Sequence, residues 1–123
     1  MRVATTFAAL AIASLATPAL AIDGKTLFAS RCAVCHWDPG KPGEQVRMGP
    51  SLTGVVGRKA ATHPKFTRYS KGMKAFGKPW TEPTLNTYLE NPRKTVPGTN
   101  MAFAGLKKPE ERAAIVAYLK KPR

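Results

Sequence analysis

The chain has 123 residues, of which 20 are Lys or Arg and 7 are Asp or Glu, so its formal net charge is +13. This length fits one small domain and excludes a large nucleotide-binding enzyme. Hydrophobic residues make up 43% of the chain, which excludes wholesale disorder. Eleven prolines and ten glycines predict many turns and few long helices or strands.

The first 21 residues have the pattern of a cleaved secretory signal peptide. Arg2 gives a positive start, residues 3–20 carry no charge, and Ala19-Leu20-Ala21 is a typical cleavage site preceded by the helix breaker Pro18. An uncleaved membrane anchor needs a similar apolar length and is the alternative. Cleavage would leave 102 of the 123 residues as one domain, 22–123, with a net charge of +12 because Arg2 is the only charged residue removed. A domain of this size usually needs a disulfide, a metal or a cofactor for stability.

Four segments of this domain have the caps and the apolar spacing of short helices. They are 23–31, 70–76, 81–91, which Pro92 ends, and 109–121. The predicted apolar faces of the last two are Leu85, Tyr88 and Leu89, and Ile115, Tyr118 and Leu119. Long stretches rich in Gly and Pro separate the helices, at 37–64 and 93–106, and we see no strand pattern. A loop this long makes sense if it wraps a bulky ligand. We therefore predict an all-α fold with three to five short helices and long Gly/Pro-rich loops.

The residues with the most specific chemistry are Cys32-Ala33-Val34-Cys35-His36, a C-x-x-C-H motif that is the signature of covalent c-type haem attachment. Two thiols three positions apart can bond both vinyl groups of one porphyrin, and the next residue then brings an imidazole to the iron. A zinc site needs four ligands, and only His63 remains as a further nitrogen donor. A thiol oxidoreductase needs a βαβ context that the chain lacks. The motif therefore predicts haem.

A second axial ligand must come from elsewhere in the chain. The candidates are His63, Met48, Met73 and Met101. A single methionine more often fills a gap in the core, and His63, beside Pro64 and Lys65, fits a solvated loop residue. Met101 stands out because it lies in an irregular loop between two predicted helices, where a thioether can be aimed inward.

Long segments of the domain resemble the class I c-type cytochromes, of the mitochondrial cytochrome c and bacterial cytochrome c2 type. The family's segment after the haem-binding motif is similar to GPSLTGVVGRK at 49–59. Its axial-methionine region is similar to YLENPRKTVPGTNMAFAGLKK at 88–108, and its last helix to AAIVAYLKK at 113–121. The resemblance implies the small cytochrome c fold, wrapped around one haem c.

The resemblance also implies roles for individual residues. His36 and Met101 would be the axial ligands, Cys32 and Cys35 the thioether anchors, and the Pro50 carbonyl would accept a hydrogen bond from the far nitrogen of His36. Positions that match other haem contacts of the family are Arg58, Tyr69 and Trp80 at the propionates, Tyr88 near the ligand sulfur, and Thr99 and Phe103 beside the methionine. Positions that match its contact between first and last helices are Gly24, Phe28, Ile115 and Tyr118.

Three features depart from the family's pattern. The loop 37–48 is longer than the short form by about two residues. Phe66 lies one place farther from Tyr69 than the pattern suggests, and Asn100 stands where a lysine is common before the ligand.

The implied function is one-electron transfer. Iron with a His/Met ligand pair has no open coordination position, which argues against an enzyme such as a small peroxidase. Implied partners are redox proteins with acidic docking surfaces: a quinol–cytochrome c oxidoreductase, a terminal oxidase, a photosynthetic reaction centre or a periplasmic dehydrogenase. The protein is expected to be a periplasmic monomer that is not embedded in the membrane.

The strong positive charge predicts electrostatic steering toward such partners. The basic residues that flank the haem-binding segments or match basic positions of the family are Lys25, Arg31, Arg93, Lys94, Lys107 and Lys108. Lys59 and Lys65 are expected farther from the haem edge. A nucleic-acid-binding module is the alternative that the charge alone suggests, but no helix is dense in Arg and Lys, and a secretory signal opposes it.

Overall fold

A computed structural model describes residue 1, residues 13–16 and residues 20–123. Most of the apolar stretch of the predicted signal peptide, at 2–12 and 17–19, lies outside the described residues. The helices of the described part are α1 (Gly24–Arg31), α2 (Lys71–Phe76), α3 (Glu82–Glu90), α4 (Pro92–Thr95) and α5 (Pro109–Lys120). The all-α prediction is confirmed, because residues 20–123 contain no strand beyond an isolated bridge between Lys59 and Pro79.

Side-chain caps begin the first three helices, as the sequence indicates. Asp23 accepts a hydrogen bond from the backbone N–H of Lys25 at 3.1 Å, and so places the start of α1. Ser70 and Thr81 cap α2 and α3 by accepting from backbone N–H groups inside those helices. Each cap satisfies one of the N–H groups that a helix leaves unpaired at its start.

The short helix α4 corrects one prediction, because Pro92 does not open an irregular loop but begins a further helical turn. Asn91 adopts an extended backbone conformation, and its side-chain oxygen accepts a hydrogen bond from the N–H of Lys94 at 3.2 Å. Proline cannot continue α3, because it lacks an N–H, but it suits the first position of a new helix. Asn91 and Pro92 therefore end one helix and start the next.

The core lies where α1 and α3 pack against α5. Phe28 of α1 is completely buried, and its ring centroid lies 5.5 Å from that of Tyr118 on α5. Gly24 allows this close approach, because a Cβ atom there would come within 2.3 Å of the Ala114 carbonyl oxygen. The predicted apolar faces are confirmed by the burial of Leu85, Tyr88 and Leu89, and of Ile115, Tyr118 and Leu119.

Backbone hydrogen bonds attach the long loop to the segment before α3. Trp80 N–H donates to the Arg58 carbonyl at 2.9 Å, and its own carbonyl accepts from Gly57 N–H at 2.8 Å. These two hydrogen bonds fix the position of the loop beside the segment before α3, although the two segments do not form a β-strand pair. None of the helices in the described ranges is long and apolar enough to cross a membrane.

Candidate functional site

A largely apolar cavity of about 290 Å³ opens between the helices and the two long loops. Residues of α1, α2, α3 and α5 contribute to its wall, together with the segments on either side of His36 and Met101. The structure brings together in this one lining every residue to which the family resemblance assigns a haem contact, namely Cys32, Cys35, His36, Pro50, Arg58, Tyr69, Trp80, Tyr88, Thr99, Met101 and Phe103.

The orientation of His36 is fixed by the backbone that follows it. Its Nδ1 lies 2.7 Å from the carbonyl oxygen of Pro50. A carbonyl can only accept, so Nδ1 carries the proton and Nε2 keeps its lone pair. Burial lowers the pKa of His36 below its usual value, partly offset by this hydrogen bond, so the imidazole is neutral at pH 7. A neutral imidazole with a free Nε2 is the form that binds a metal.

Gly49 packs against the His36 ring and is a functional residue that was not predicted from the sequence. A Cβ atom at this position would lie 2.5 Å from Cε1 of the imidazole ring. Only glycine leaves room for the ring at this point of the loop. The Gly-Pro pair that follows the motif is the signal that could have identified Gly49.

The surroundings of the two cysteines fit attachment of a group inside the cavity rather than thiol redox chemistry. Both line the cavity, neither is in a disulfide, and both are partly buried. Burial raises the pKa of Cys32 to about 11, whereas a thiol oxidoreductase needs a lowered pKa to form the thiolate. The part of the chain that the structure describes holds no group of three or more His, Cys, Asp or Glu side chains able to bind a metal such as zinc.

Met101 is held in place by polar neighbours. The hydroxyl of Tyr88 lies 3.4 Å from the Met101 sulfur, toward which it donates, and 3.1 Å from the hydroxyl of Thr99. Thr99 in turn accepts from the Met101 N–H at 3.2 Å. Burial raises the pKa of Tyr88, so its phenol stays protonated and remains a donor. Phe103 follows, and the Arg31 guanidinium lies 5.7 Å from its ring centroid.

The other candidates for a second ligand occupy different environments. Met48 and Met73 also line the cavity, but Met48 is 74% exposed, and its sulfur lies 3.9 Å from the sulfur of Cys35. Met48 therefore lies on the side of the attachment cysteines. Met73 belongs to α2 and packs against the apolar core.

His63 is not the solvated loop residue that its neighbours suggest, because only 4% of its surface is exposed. Its Nε2 lies 2.6 Å from a carboxylate oxygen of Glu44, and its Nδ1 accepts from the N–H of Lys65 at 3.2 Å. Both ring nitrogens are occupied, and His63 does not line the cavity. The sequence could not reveal this burial, since Glu44 lies 19 residues away.

Polar groups converge on another part of the lining. The half-buried Arg58 guanidinium donates to the carbonyls of Ser51 and Thr53, each at 3.1 Å. The hydroxyl of Tyr69 accepts from the N–H of His63 at 3.2 Å. Trp80 stacks on Phe76 and tilts against Tyr88, with ring centroids 5.3 and 5.0 Å apart. Arg58, Tyr69 and Trp80 therefore bring a guanidinium, a phenol and an indole to the lining of one cavity, and a fixed cation suits an anionic group such as a carboxylate.

The six basic residues singled out from the sequence are all exposed, and Arg31 is the one that also lines the cavity. Lys59 lines the cavity as well, so it is not the remote position that the sequence suggests, whereas Lys65 is absent from the lining.

Comparison with known proteins identifies the family. A family model described as cytochrome c matches residues 21–122. The chain is 45% identical over 100 residues to cytochrome c2 of Rhodomicrobium vannielii, covering 80% of this chain and 75% of that protein. It is 47% identical over 97 residues to cytochrome c of Chlamydomonas reinhardtii, covering 79% and 84%. The solved structure of cytochrome cH from Methylobacterium extorquens superposes with a TM-score of 0.71 at 38% identity, covering 79% of this chain and 93% of that one.

The chain therefore belongs to the cytochrome c family and has the cytochrome c fold. Proteins of this family are electron carriers that bind a covalently attached haem c, for which Cys32 and Cys35 supply the two thiols. The cavity fits this group, since an apolar lining, two thiols, a neutral imidazole and a thioether are the chemistry that haem c requires.

Proposed function

We propose that this protein is a periplasmic carrier of single electrons whose haem iron is bound by His36 and Met101. The observation that carries the proposal is that His36 and Met101 line the same cavity, and that the Nδ1 of His36 is engaged by the Pro50 carbonyl, which leaves Nε2 as the ligand atom. With His36 and Met101 both binding the iron, a haem would exchange one electron and would have no open position for oxygen or substrate. A haem enzyme would need Met101 to leave.

The residues around Met101 support this function. Tyr88 donates toward the Met101 sulfur, Thr99 accepts from the Met101 N–H, and the two hydroxyls are themselves within hydrogen-bond distance. A thioether that is held in this way stays in position while the charge of the site changes. Restrained ligands suit electron transfer, because little has to move with each electron.

The N-terminal pattern supports export. The match to the family begins at residue 21, where the predicted cleavage site ends. In this proposal residues 1–21 are removed as a signal peptide, and residues 22–123 act in the periplasm as a monomer. Its partners are redox proteins with acidic docking surfaces, among them a quinol–cytochrome c oxidoreductase, a terminal oxidase, a reaction centre or a periplasmic dehydrogenase.

The ligand pair is tested by spectroscopy of the ferric protein. Sulfur ligation gives a weak absorption band at the red edge of the visible spectrum, and Met101→Ala should abolish it. Met48→Ala and Met73→Ala are the matched controls and should retain the band. Loss of the band in a control variant, with retention in Met101→Ala, would move the assignment to that methionine.

The carrier role itself is tested by stopped-flow oxidation and reduction of the haem protein with isolated candidate membrane complexes. Electron exchange should be fast, and added peroxide should not be turned over. Ready binding of peroxide or cyanide by the unmodified ferric protein would favour an enzyme with an open site.

A further inference from the structure

Three hydrogen bonds follow one another across the outside of the cavity, and we call their donors Arg47, Arg68 and Asn100 the strap. Arg47 donates to the carbonyl of Ala33 at 2.8 Å, and Arg68 donates to the carbonyl of Arg47 at 2.8 Å. Asn100 completes the series by donating to the carbonyl of Arg68 at 3.4 Å.

The ends of the strap lie next to the two ligand segments. Ala33 lies between the attachment cysteines and three residues before His36, and Asn100 directly precedes Met101. The strap therefore connects the loop of one proposed ligand to the loop of the other. Arg68 and Asn100 line the cavity and are also exposed, so this part of the connection lies where the cavity meets the surface.

Aromatic rings hold both arginines in position. The Arg47 guanidinium lies 5.3 Å from the ring centroid of Trp37, and that of Arg68 lies 5.5 Å from the ring centroid of the buried Phe66. Such stacking restricts the long side chains before they donate their hydrogen bonds. The bonds are nevertheless exposed to solvent, so each is weak and easily opened.

We propose that Arg47, Arg68 and Asn100 are positioning residues that keep the Met101 loop closed over the cavity. The proposal rests on the function proposed above, in which Met101 is a ligand of the haem iron. A series of weak bonds controls how often the loop opens but contributes little to the stability of the whole domain. Breaking any one link interrupts the connection between the Met101 loop and the His36 segment, so that the Tyr88 and Thr99 contacts remain to restrain Met101.

Imidazole binding to the ferric haem protein measures this opening, because imidazole binds the iron only after Met101 has left. Asn100→Ala and Arg68→Ala should each raise the limiting rate of imidazole binding at saturating imidazole by about two- to tenfold, the range for one net hydrogen bond. Before imidazole is added, the sulfur band should be unchanged, and the midpoint of thermal unfolding should move little. Arg93→Ala, which removes an exposed arginine outside the strap, is the matched control and should leave the rate unchanged.

The double variant Arg68→Ala/Asn100→Ala gives the sharper test. If the hydrogen bonds act as one continuous connection, breaking a second bond should raise the rate of imidazole binding little beyond the effect of breaking the first. Three outcomes would overturn the strap. The rate increases of the two single variants could multiply in the double variant, or both single variants could bind imidazole at the rate of the unmodified protein. The third is that Arg93→Ala raises the rate as much as the strap variants do.

These outcomes are separable from failure of the proposed function. If Met101→Ala retains the sulfur band and its imidazole binding is unchanged, the ligand assignment is wrong. If Met101→Ala loses the band while the strap variants behave like the unmodified protein, the strap alone is wrong.

Discussion

The hydroxyl of Tyr118 on α5 donates to a carboxylate oxygen of Asp38 at 2.6 Å, joining residues 80 positions apart. Asp38 is buried, and it also accepts from the N–H of Gly40 at 2.9 Å. A Cβ atom at Gly40 would lie 2.3 Å from the Tyr118 hydroxyl oxygen, so the turn needs glycine to reach α5. The bond fastens the loop that follows the haem-binding motif to the last helix.

Removing this hydroxyl should destabilise the protein. In Tyr118→Phe the buried Asp38 carboxylate keeps Gly40 as a donor but loses its phenol donor, at a cost of about 1.5–3 kcal/mol. Denaturant unfolding of the haem protein at pH 7 measures the loss. Thr87→Val removes an exposed hydroxyl that donates only to the Pro83 carbonyl and should cost less. Equal stability of Tyr118→Phe and the unmodified protein would contradict the importance of this bond.

The same bond predicts a pH dependence. Burial and the neighbouring Asp38 carboxylate raise the pKa of Tyr118 to about 12, above the usual value of 10.0. The stabilisation is therefore complete below pH 10 and is lost as the pH rises through 12. The difference in free energy of unfolding between the unmodified protein and Tyr118→Phe should shrink over this interval, and a constant difference would contradict the assignment.

A side chain at Gly24 should separate the first and last helices. In Gly24→Ala the new Cβ atom would lie 2.3 Å from the Ala114 carbonyl oxygen, and backbone cannot move away as a flexible side chain can. Overpacking of this kind costs about 1–3 kcal/mol, which denaturant unfolding detects. Ala29→Ser changes an exposed position of the same helix and should alter stability by less than about 0.5 kcal/mol. A gain in stability, as expected for alanine in an unhindered helix, would mean that the helices are not in close contact.

Tyr88→Phe should lower the reduction potential, if Met101 is a ligand as proposed. The phenol draws electron density from the sulfur, so its removal makes Met101 a stronger donor and favours ferric iron. The expected decrease is about 20–60 mV, the equivalent of one net hydrogen bond. Potentiometric titration measures the decrease, and Tyr118→Phe, the same change at a tyrosine that does not line the cavity, is the control. An increase in potential would show that the phenol does not act on the sulfur in this way.

Salt should slow electron exchange with an acidic partner. Exposed charges are screened beyond about 10 Å at 0.1 M salt, and steering of this kind contributes about tenfold or more to association rates. Stopped-flow rates with an isolated membrane complex should therefore fall steeply as salt is added. Lys94→Glu should slow association several-fold with an unchanged spectrum.

Lys65→Glu is the matched control for this reversal, because Lys65 is exposed and is expected from the sequence to lie farther from the haem edge than Lys94. Lys59, the other position expected to be remote, lines the cavity and is not used as the control. Lys65→Glu should have a smaller effect than Lys94→Glu. Equal effects of the two reversals, or rates independent of salt, would mean that the positive charge serves solubility and that docking is chiefly apolar.

Local signals made most of the helical fold predictable. The caps Asp23, Ser70 and Thr81 act on N–H groups within three residues of themselves, so their effect is visible in sequence. Pro92 was ambiguous in principle, since proline is favoured both after one helix and at the start of another. The difference depended on the extended conformation of Asn91, which composition does not reveal.

Residues of the candidate site could be predicted where motif spacing or the family resemblance indicated them. Contacts between loops that are distant in sequence could not be predicted. All eleven named residues line one cavity, although their roles at the haem remain predictions. The burial of His63 depends on Glu44, and Tyr118 finds its partner in Asp38 across most of the chain. Such pairs join residues that come together only in the folded chain, so no local sequence pattern predicts them.

The hydrogen bond between His36 and Pro50 has a consequence for mutational robustness. Its acceptor is a main-chain carbonyl, so no exchange of side chain at position 50 deletes the acceptor atom itself. The weak point lies one residue earlier, at Gly49, where any added side chain would collide with the imidazole ring. Random mutagenesis should therefore find position 49 intolerant, whereas variation at position 50 is limited only by the shape of the turn.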